Sequence, residues 1–196
     1  MPDKGNRLAH IEIRFVSNNP SKLVEAKEIL EPKGIVVEAS LLKIEELQTT
    51  DTKRLVHDKV LRAFEQVGRP LFVEHTGLYL EHLNGLPGGL TQIFWDTLQA
   101  DKFAELFGKL APITNAKAIT TIAYCDGRRL HDFAGEISGK ITSEPRGSRD
   151  FQWDCVFEPD GATETFAEMG NARKNAISMR RLALDKLATH VERTVR

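Results

Sequence analysis

Sulfur and long apolar stretches are what this chain has least of. It carries two cysteines in 196 residues, Cys125 and Cys155, and they form no CxxC pair, so neither a zinc site nor a disulfide framework is indicated. No apolar run approaches the ~18 residues of a membrane-spanning helix. The opening, MPDKGNRLAH, is polar and lacks an apolar centre. That reads against a secretory leader and for a reducing cytoplasm, with roughly the first ten residues expected to be disordered. Charge of one sign is also missing. A formal net charge of −1 gives no basis for binding nucleic acid or an anionic membrane. The six histidines are scattered without an HxxxH pair. No repeat, linker or low-complexity tract divides the chain, so residues 1–196 are read as one domain.

What is present is an ordinary globular composition, 41% apolar and 28% charged, enough to bury a full core. Ile11 to Val16 reads as a short strand, rich in β-branched and aromatic residues. Asn19 is placed to cap a helix and Pro20 suits its first turn, where N–H groups lack partners in any case. Leu23, Ala26, Ile29 and Leu30 recur at helical spacing until Pro32 and Gly34 end the run. Ile35 to Val37 is the next strand. A second helix is predicted over Thr52 to Gln66, burying Leu55, Val60, Ala63 and Phe64, and Leu71 to Glu74 follows as a strand. The turn-rich NGLPGG comes next, then a helical stripe of Phe103, Leu106, Phe107 and Leu110. Ala118 to Cys125 and Leu130 to Phe133 flank Asp126-Gly127 as a hairpin. The last helix is expected to begin near Lys174, burying Ile177, Leu184, Leu187 and Val191. Helices alternating with strands early, and a hairpin later, indicate an α/β domain with a mixed sheet.

Several stretches have the residue types of a site. SNNPSK joins a strand to a helix start, where free N–H groups and the positive dipole end favour an anion, and Lys22 adds a mobile ammonium. A plain capped helix with a solvated lysine has the same sequence. In RGSRDFQWD, Phe151 and Trp153 alternate on what reads as an extended segment, so both can face one side and sandwich a planar base. Asp154 would then accept a hydrogen bond from that base. Two core rings are the alternative, weakened by the cost of burying an unpaired Asp154 beside them. Lys174, Arg180 and Arg181 gather around a helix start. Lys59, Glu45 and Glu46 taken singly are ordinary surface charges.

The order of these stretches says more than any one of them. SNNPSK, EELQ, VEHTGL with LNGLPGG, PRGSRDFQWD and EMGNARKNAISMR follow one another as in the inosine triphosphate pyrophosphatase (ITPase-like) family, which this chain resembles from about Ile11 to about Leu187. The resemblance implies an elongated mixed sheet in two lobes with a nucleotide cleft between them, and a homodimer. It also implies Mg²⁺-dependent hydrolysis of noncanonical purine nucleoside triphosphates to monophosphate and pyrophosphate. The family's Thr-Gly-Asn-x-x-Lys is matched by Ser17, Asn18, Asn19 and Lys22, so Asn19 and Lys22 would hold the triphosphate. Asn18 stands where the family has a glycine that allows close approach to phosphate. Glu46 corresponds to the metal-binding glutamate, with Glu45 the alternative alignment. Lys59, sixteen residues before His75, has the spacing of a phosphate-binding lysine. Phe151, Trp153 and Asp154 match Phe-x-Trp-Asp, and Lys174 and Arg180 match Lys-x-x-x-Ser-His-Arg.

Two positions depart from the pattern. His75 occupies the place of an aspartate that binds metal and orients or deprotonates the attacking water. Met179 replaces a histidine that contacts the purine edge. An imidazole brings no negative charge at neutral pH and suits Mg²⁺ less than an oxygen ligand, which brings Mn²⁺ or Co²⁺ into consideration. It still titrates near neutrality, with a reference pKa of about 6.5. Met179 turns a hydrogen-bonding wall into an apolar one and so implies a shifted base preference. The expectation is a working pyrophosphatase with a rebuilt metal site. A nucleotide-binding pseudoenzyme and a partner-binding dimer with a decayed pocket are the alternatives.

Overall fold

The computed structural model describes residues 11–109 and 114–194. The first ten residues, read as disordered, and Leu110 of the predicted stripe lie outside them. One six-stranded sheet runs through the molecule in the order β2-β1-β3-β4-β5-β6. Its strands are β1 (Ile11–Val16), β2 (Ile35–Ser40), β3 (Leu71–Leu80), β4 (Asn115–Cys125), β5 (Leu130–Ile141) and β6 (Phe157–Pro159). β1 lies parallel to β2 and β3, and the remaining pairs are antiparallel, so the sheet is mixed as the pattern of elements indicates.

The helices are α1 (Pro20–Leu30), α2 (Thr52–Val67), α3 (Thr91–Gly108), α4 (Phe166–Ile177) and α5 (Met179–Thr194). Strand alternation sorts them into layers. Ile13, Phe15 and Phe72 face α1 and α5, whereas Val16, Leu71 and Val73 face α2. A third cluster lies farther along the sheet, where Leu78, Leu80 and Ala118 pack with Phe103 of α3, Trp153 and Phe166. These clusters are the cores of two lobes, and β3 and β4 are long enough to serve both. Among the described residues no helix is long and apolar enough to cross a membrane, and both cysteines are free and buried.

Three local expectations are corrected. β3 does not stop at Glu74 but pairs with β4 from Leu71↔Cys125 through Leu80↔Ala116. Beyond Glu74 its residues are buried by the loop that follows: Gly77 packs so tightly that a Cβ there would come within 2.4 Å of the Gly88 carbonyl oxygen. The C-terminal helical region starts earlier and is broken twice, at Gly170, whose φ of 71° is not helical, and at Ser178. α4 begins at Phe166 behind a capping box formed by Thr165 and Glu168, and the chain turns extended at Ser178 before α5. Ser178 Oγ accepts from the Arg181 N–H at 3.1 Å, capping α5, and this break leaves Ile177 44% exposed rather than buried. Finally, Leu106 lies on the outer side of α3, with Phe103 and Phe107 supplying its buried face.

Candidate active site

The carboxyl ends of β1, β2 and β3 point the same way. From β1 the chain crosses to β2 through α1, and from β2 it returns past β1 to β3 through α2. Strand order therefore reverses between β1 and β3, and such a reversal opens a crevice at the strand ends. SNNPSK lies at its mouth. Ser17 Oγ accepts from the Asn19 N–H at 3.2 Å, and Asn19 Oδ1 accepts from the Lys22 N–H at 3.2 Å, capping α1 with Pro20 at its first position. Asn18 donates its side-chain amide to the Leu42 carbonyl at 3.3 Å. It is not among the left-handed non-glycine residues, so the turn keeps its course without the glycine that the resemblance leads one to expect.

Period-two alternation on β3 then divides two adjacent residues between two environments. Glu74 points towards α1 and α5, where its carboxylate meets Lys22 Nζ at 2.7 Å and Arg180 Nε at 2.7 Å. Arg180 also pairs with Glu25, completing a Lys22–Glu74–Arg180–Glu25 chain in which all but the half-buried Lys22 are buried. His75 points the other way, towards α2 and the segment between β2 and α2. There its Nδ1 lies 3.6 Å from Glu46 Oε2, and Glu46 Oε1 pairs with Lys59 of α2. Of the two candidate glutamates, Glu46 turns inward while Glu45 is exposed. His75 Nε2 is buried with no hydrogen-bond partner. It lines a small chamber of about 60 Å³ together with Lys22, Glu46, Thr76, Gln92 and Gln152.

The charges explain one another. Burial alone would raise the Glu74 carboxyl, but Arg180 and Lys22 outweigh it and hold the group well below the usual carboxylate range. Burial pushes the Lys22 ammonium below its ordinary value, aided by Arg180 and Lys59 and opposed by Glu74. For Glu46, burial is likewise overcome, by His75 and then Lys59, and its pKa falls from 4.5 to about 2. A depressed carboxyl contributes stability that is complete above its unfolded value and is lost as pH falls towards its folded value. The urea midpoint is therefore expected to drop on acidification from pH 4.5 towards about 2. Glu46→Gln should flatten that part of the profile; an unchanged slope would show that Glu46 does not hold its charge in this way.

A second cavity of about 530 Å³ adjoins the mouth, lined by Phe151, Asp154, Phe166, Asn171 and Lys174 among others. Lys174 pairs with Asp154, both buried, and its Nζ sits 3.8 Å from the centre of the Phe151 ring. Burial pushes the Asp154 carboxyl up while Lys174 pulls it down, and the upward direction prevails. Asp154 Oδ1 has no partner.

Here three expectations are corrected. Gln152–Cys155 forms a 3-10 turn, not an extended segment, so Phe151 and Trp153 do not share a face. Trp153 is 2% exposed and packs edge-on against Phe157, leaving Phe151 as the only one of the two rings on the cavity. Met179 and Arg180 are 0% and 1% exposed and line neither cavity at the mouth. Met179 is core packing at the start of α5, and the guanidinium of Arg180 is occupied by Glu25 and Glu74. Reading the sequence also missed three residues. Glu25 was legible from its helical offset of three from Lys22, whereas Gln92 and Gln152 carried no signal.

Lys22, Lys59, Lys174 and Arg180 are thus each matched by a carboxylate: Glu74, Glu46, Asp154 and Glu25. These pairings leave none of the four cations without a counter-charge, so a polyphosphate bound there would bring more negative charge than they balance. Among the described residues no three His, Cys, Asp or Glu side chains are grouped to hold a metal by themselves. A cation carried mainly on phosphate oxygens needs only one or two protein carboxylates. Glu46, held ionised and lining the same chamber as His75, fits that role.

Comparison with known proteins shows the family. The model of the Ham1 family matches residues 13–190, and the chain belongs to that family. A dITP/XTP pyrophosphatase of Methanopyrus kandleri is 38% identical over 181 residues, covering 91% of this chain and 95% of the relative. An inosine triphosphate pyrophosphatase of Candida glabrata is 40% identical over 183 residues, covering 88% and 93% respectively. Among solved structures, a HAM1 protein from Coxiella burnetii superimposes with a TM-score of 0.80 at 28% identity, covering 93% of this chain and 99% of that one.

Proposed function

We propose that this protein is a nucleoside triphosphate pyrophosphatase acting on noncanonical purine nucleotides, in ribo or deoxy form, as a cytoplasmic homodimer. The observation that carries the reading is a buried imidazole nitrogen without a partner, His75 Nε2, sharing one chamber with Lys22 and Glu46. The base enters the larger cavity against Phe151, where Asp154 Oδ1 accepts a hydrogen bond from it. Trp153, Met179 and Arg180 hold that wall from behind, and Lys174 fixes Asp154 and Phe151 together. The triphosphate lies along Ser17, Asn18 and Asn19, where Lys22 and Lys59 donate. Each ammonium has three N–H donors, so it can keep its carboxylate and still reach a phosphate oxygen.

Glu46 would hold the divalent cation, which when bound neutralises phosphate oxygens and makes the phosphorus more electrophilic. In the hydrolytic step water adds to the α-phosphorus. The bond from that phosphorus to the α–β bridging oxygen breaks, its electron pair leaving with pyrophosphate, and the water's proton passes to His75 Nε2. Glu46 facing Nδ1 favours the tautomer with the proton on Nδ1, which leaves Nε2 as the acceptor.

The test is pyrophosphate release from inosine, xanthosine, guanosine and adenosine triphosphates with Mg²⁺, Mn²⁺ and Co²⁺ in parallel. Inosine or xanthosine triphosphate is expected to be turned over best. Mn²⁺ or Co²⁺ should support more activity than Mg²⁺, because an imidazole stands in the chamber where a second hard oxygen would suit Mg²⁺. A clear Mg²⁺ optimum would contradict the rebuilt metal site, and no pyrophosphate with any metal would contradict the reaction itself.

A further inference from the structure

Besides its charged residues, the 60 Å³ chamber is lined by two amide side chains, Gln92 and Gln152. Gln92 lies in the first turn of α3, and Gln152 opens the 3-10 turn between Phe151 and Trp153. Gln152 Nε2 donates to Gln92 Oε1 at 2.5 Å, and Gln92 Nε2 donates onward to Asp96 Oδ1 at 2.7 Å. The chain fixes the orientation of both amides, since each donor is aimed at a defined acceptor. It leaves Gln152 Oε1 without a donor among the described residues.

A second observation is independent of that pairing. Gln152 has φ = 39°, one of only three non-glycine residues with positive φ among those described. An L side chain there is strained, and strain persists where the surroundings over-determine it, commonly at functional sites. Glycine would fit that backbone without strain but would remove the amide. The chamber is also of the right size: 60 Å³ holds a small number of water molecules and not a nucleotide.

We propose that Gln152, held by Gln92, is the water-positioning residue of the hydrolytic step. Its Oε1 accepts one hydrogen of the attacking water while His75 Nε2 faces the other, so the oxygen lone pair is directed at the phosphorus. The proposal rests on the pyrophosphatase reading above.

The experiment compares kcat, KM and melting temperature of wild type, Gln152→Gly, Gln152→Glu, Gln92→Ala and the Gln92→Ala/Gln152→Gly double variant, with inosine triphosphate and the best metal. Misplacing a nucleophile by about 1 Å costs up to roughly 10²-fold. Gln152→Gly is therefore expected to lose about tenfold to a hundredfold in kcat with KM nearly unchanged, while melting at or above wild type. Gln152→Glu keeps an acceptor at the same reach and should retain more kcat than Gln152→Gly. Gln92→Ala should lose less than Gln152→Gly, and the double variant should be no slower than Gln152→Gly alone. An unchanged kcat in Gln152→Gly, a loss confined to KM, a loss that tracks falling stability, or fully multiplicative losses would each overturn the proposal. Wild type that releases no pyrophosphate would remove the parent reading and this role together; wild-type turnover with an unaffected Gln152→Gly removes this role alone.

Discussion

His75→Ala is expected to lower kcat for triphosphate hydrolysis by about 10²–10⁴, the usual worth of a positioned base, while nucleotide affinity stays near that of wild type. The separation follows from where the side chains sit. Lys22 and Lys59 are anchored by Glu74 and by Glu46, so both ammonium groups stay in place when the imidazole is removed. Removing it also leaves no unpaired buried charge, and folding should survive. His75→Asp is the informative companion. It places a carboxylate beside Glu46, and the like charges raise the need for a cation between them. Activity should then shift towards Mg²⁺. Steady-state pyrophosphate release over a metal series reads both effects. If His75→Ala is as active as wild type, the base lies elsewhere. If wild type is silent and His75→Asp gains turnover, the chain is a scaffold that has given up hydrolysis.

Arg180→Ala should be the most damaging single substitution to stability. The guanidinium is 1% exposed between Glu25 and Glu74, and it also donates towards Thr76. Truncation strands two buried carboxylates with one lysine for compensation. Removing one partner of a buried pair typically costs about 3–5 kcal/mol. For a chain of this size that corresponds to a fall in melting temperature of roughly 6–20 °C. Arg180→Ala combined with Glu25→Gln and Glu74→Gln should recover part of the loss, since neutral amides tolerate the site better than unpaired charges. A calorimetric loss below about 1 kcal/mol in the single variant would mean that water already solvates the network, contrary to its burial.

How legible this was from sequence depended on whether the signal was local. The strand–turn–helix of β1 and α1 was readable because Asn19, Pro20 and a helical stripe all act within a few residues. The β4–β5 hairpin was readable from Asp126-Gly127. The division of the late helix was local too, but depended on weighing Thr165 and Glu168 as a capping box and Ser178 as a break. The 3-10 turn at Gln152 was not legible. Alternating Phe151 and Trp153 mimic a strand, and only the packing of Trp153 against Phe157 decides otherwise. Residues marked by motifs were legible as neighbours: Lys22, Glu46 and His75 line one chamber, and Lys59 pairs with Glu46. Their roles were less so: Arg180 has the charge of a ligand-binding group, yet a partner 155 residues away in sequence takes up its guanidinium. Gln92 and Gln152 are 60 residues apart and meet only in the folded chain.

The split of β3 between Glu74 and His75 bears on how such a protein can vary. One peptide unit separates a carboxylate that holds two helices to the sheet from a side chain that faces the chamber. Residue 75 can therefore be exchanged, imidazole for carboxylate or the reverse, with the scaffold left standing. Residue 74 has no such freedom. A one-residue insertion upstream would transpose the two and spoil both at once. At this one position of β3, new chemistry can be sampled at little structural risk.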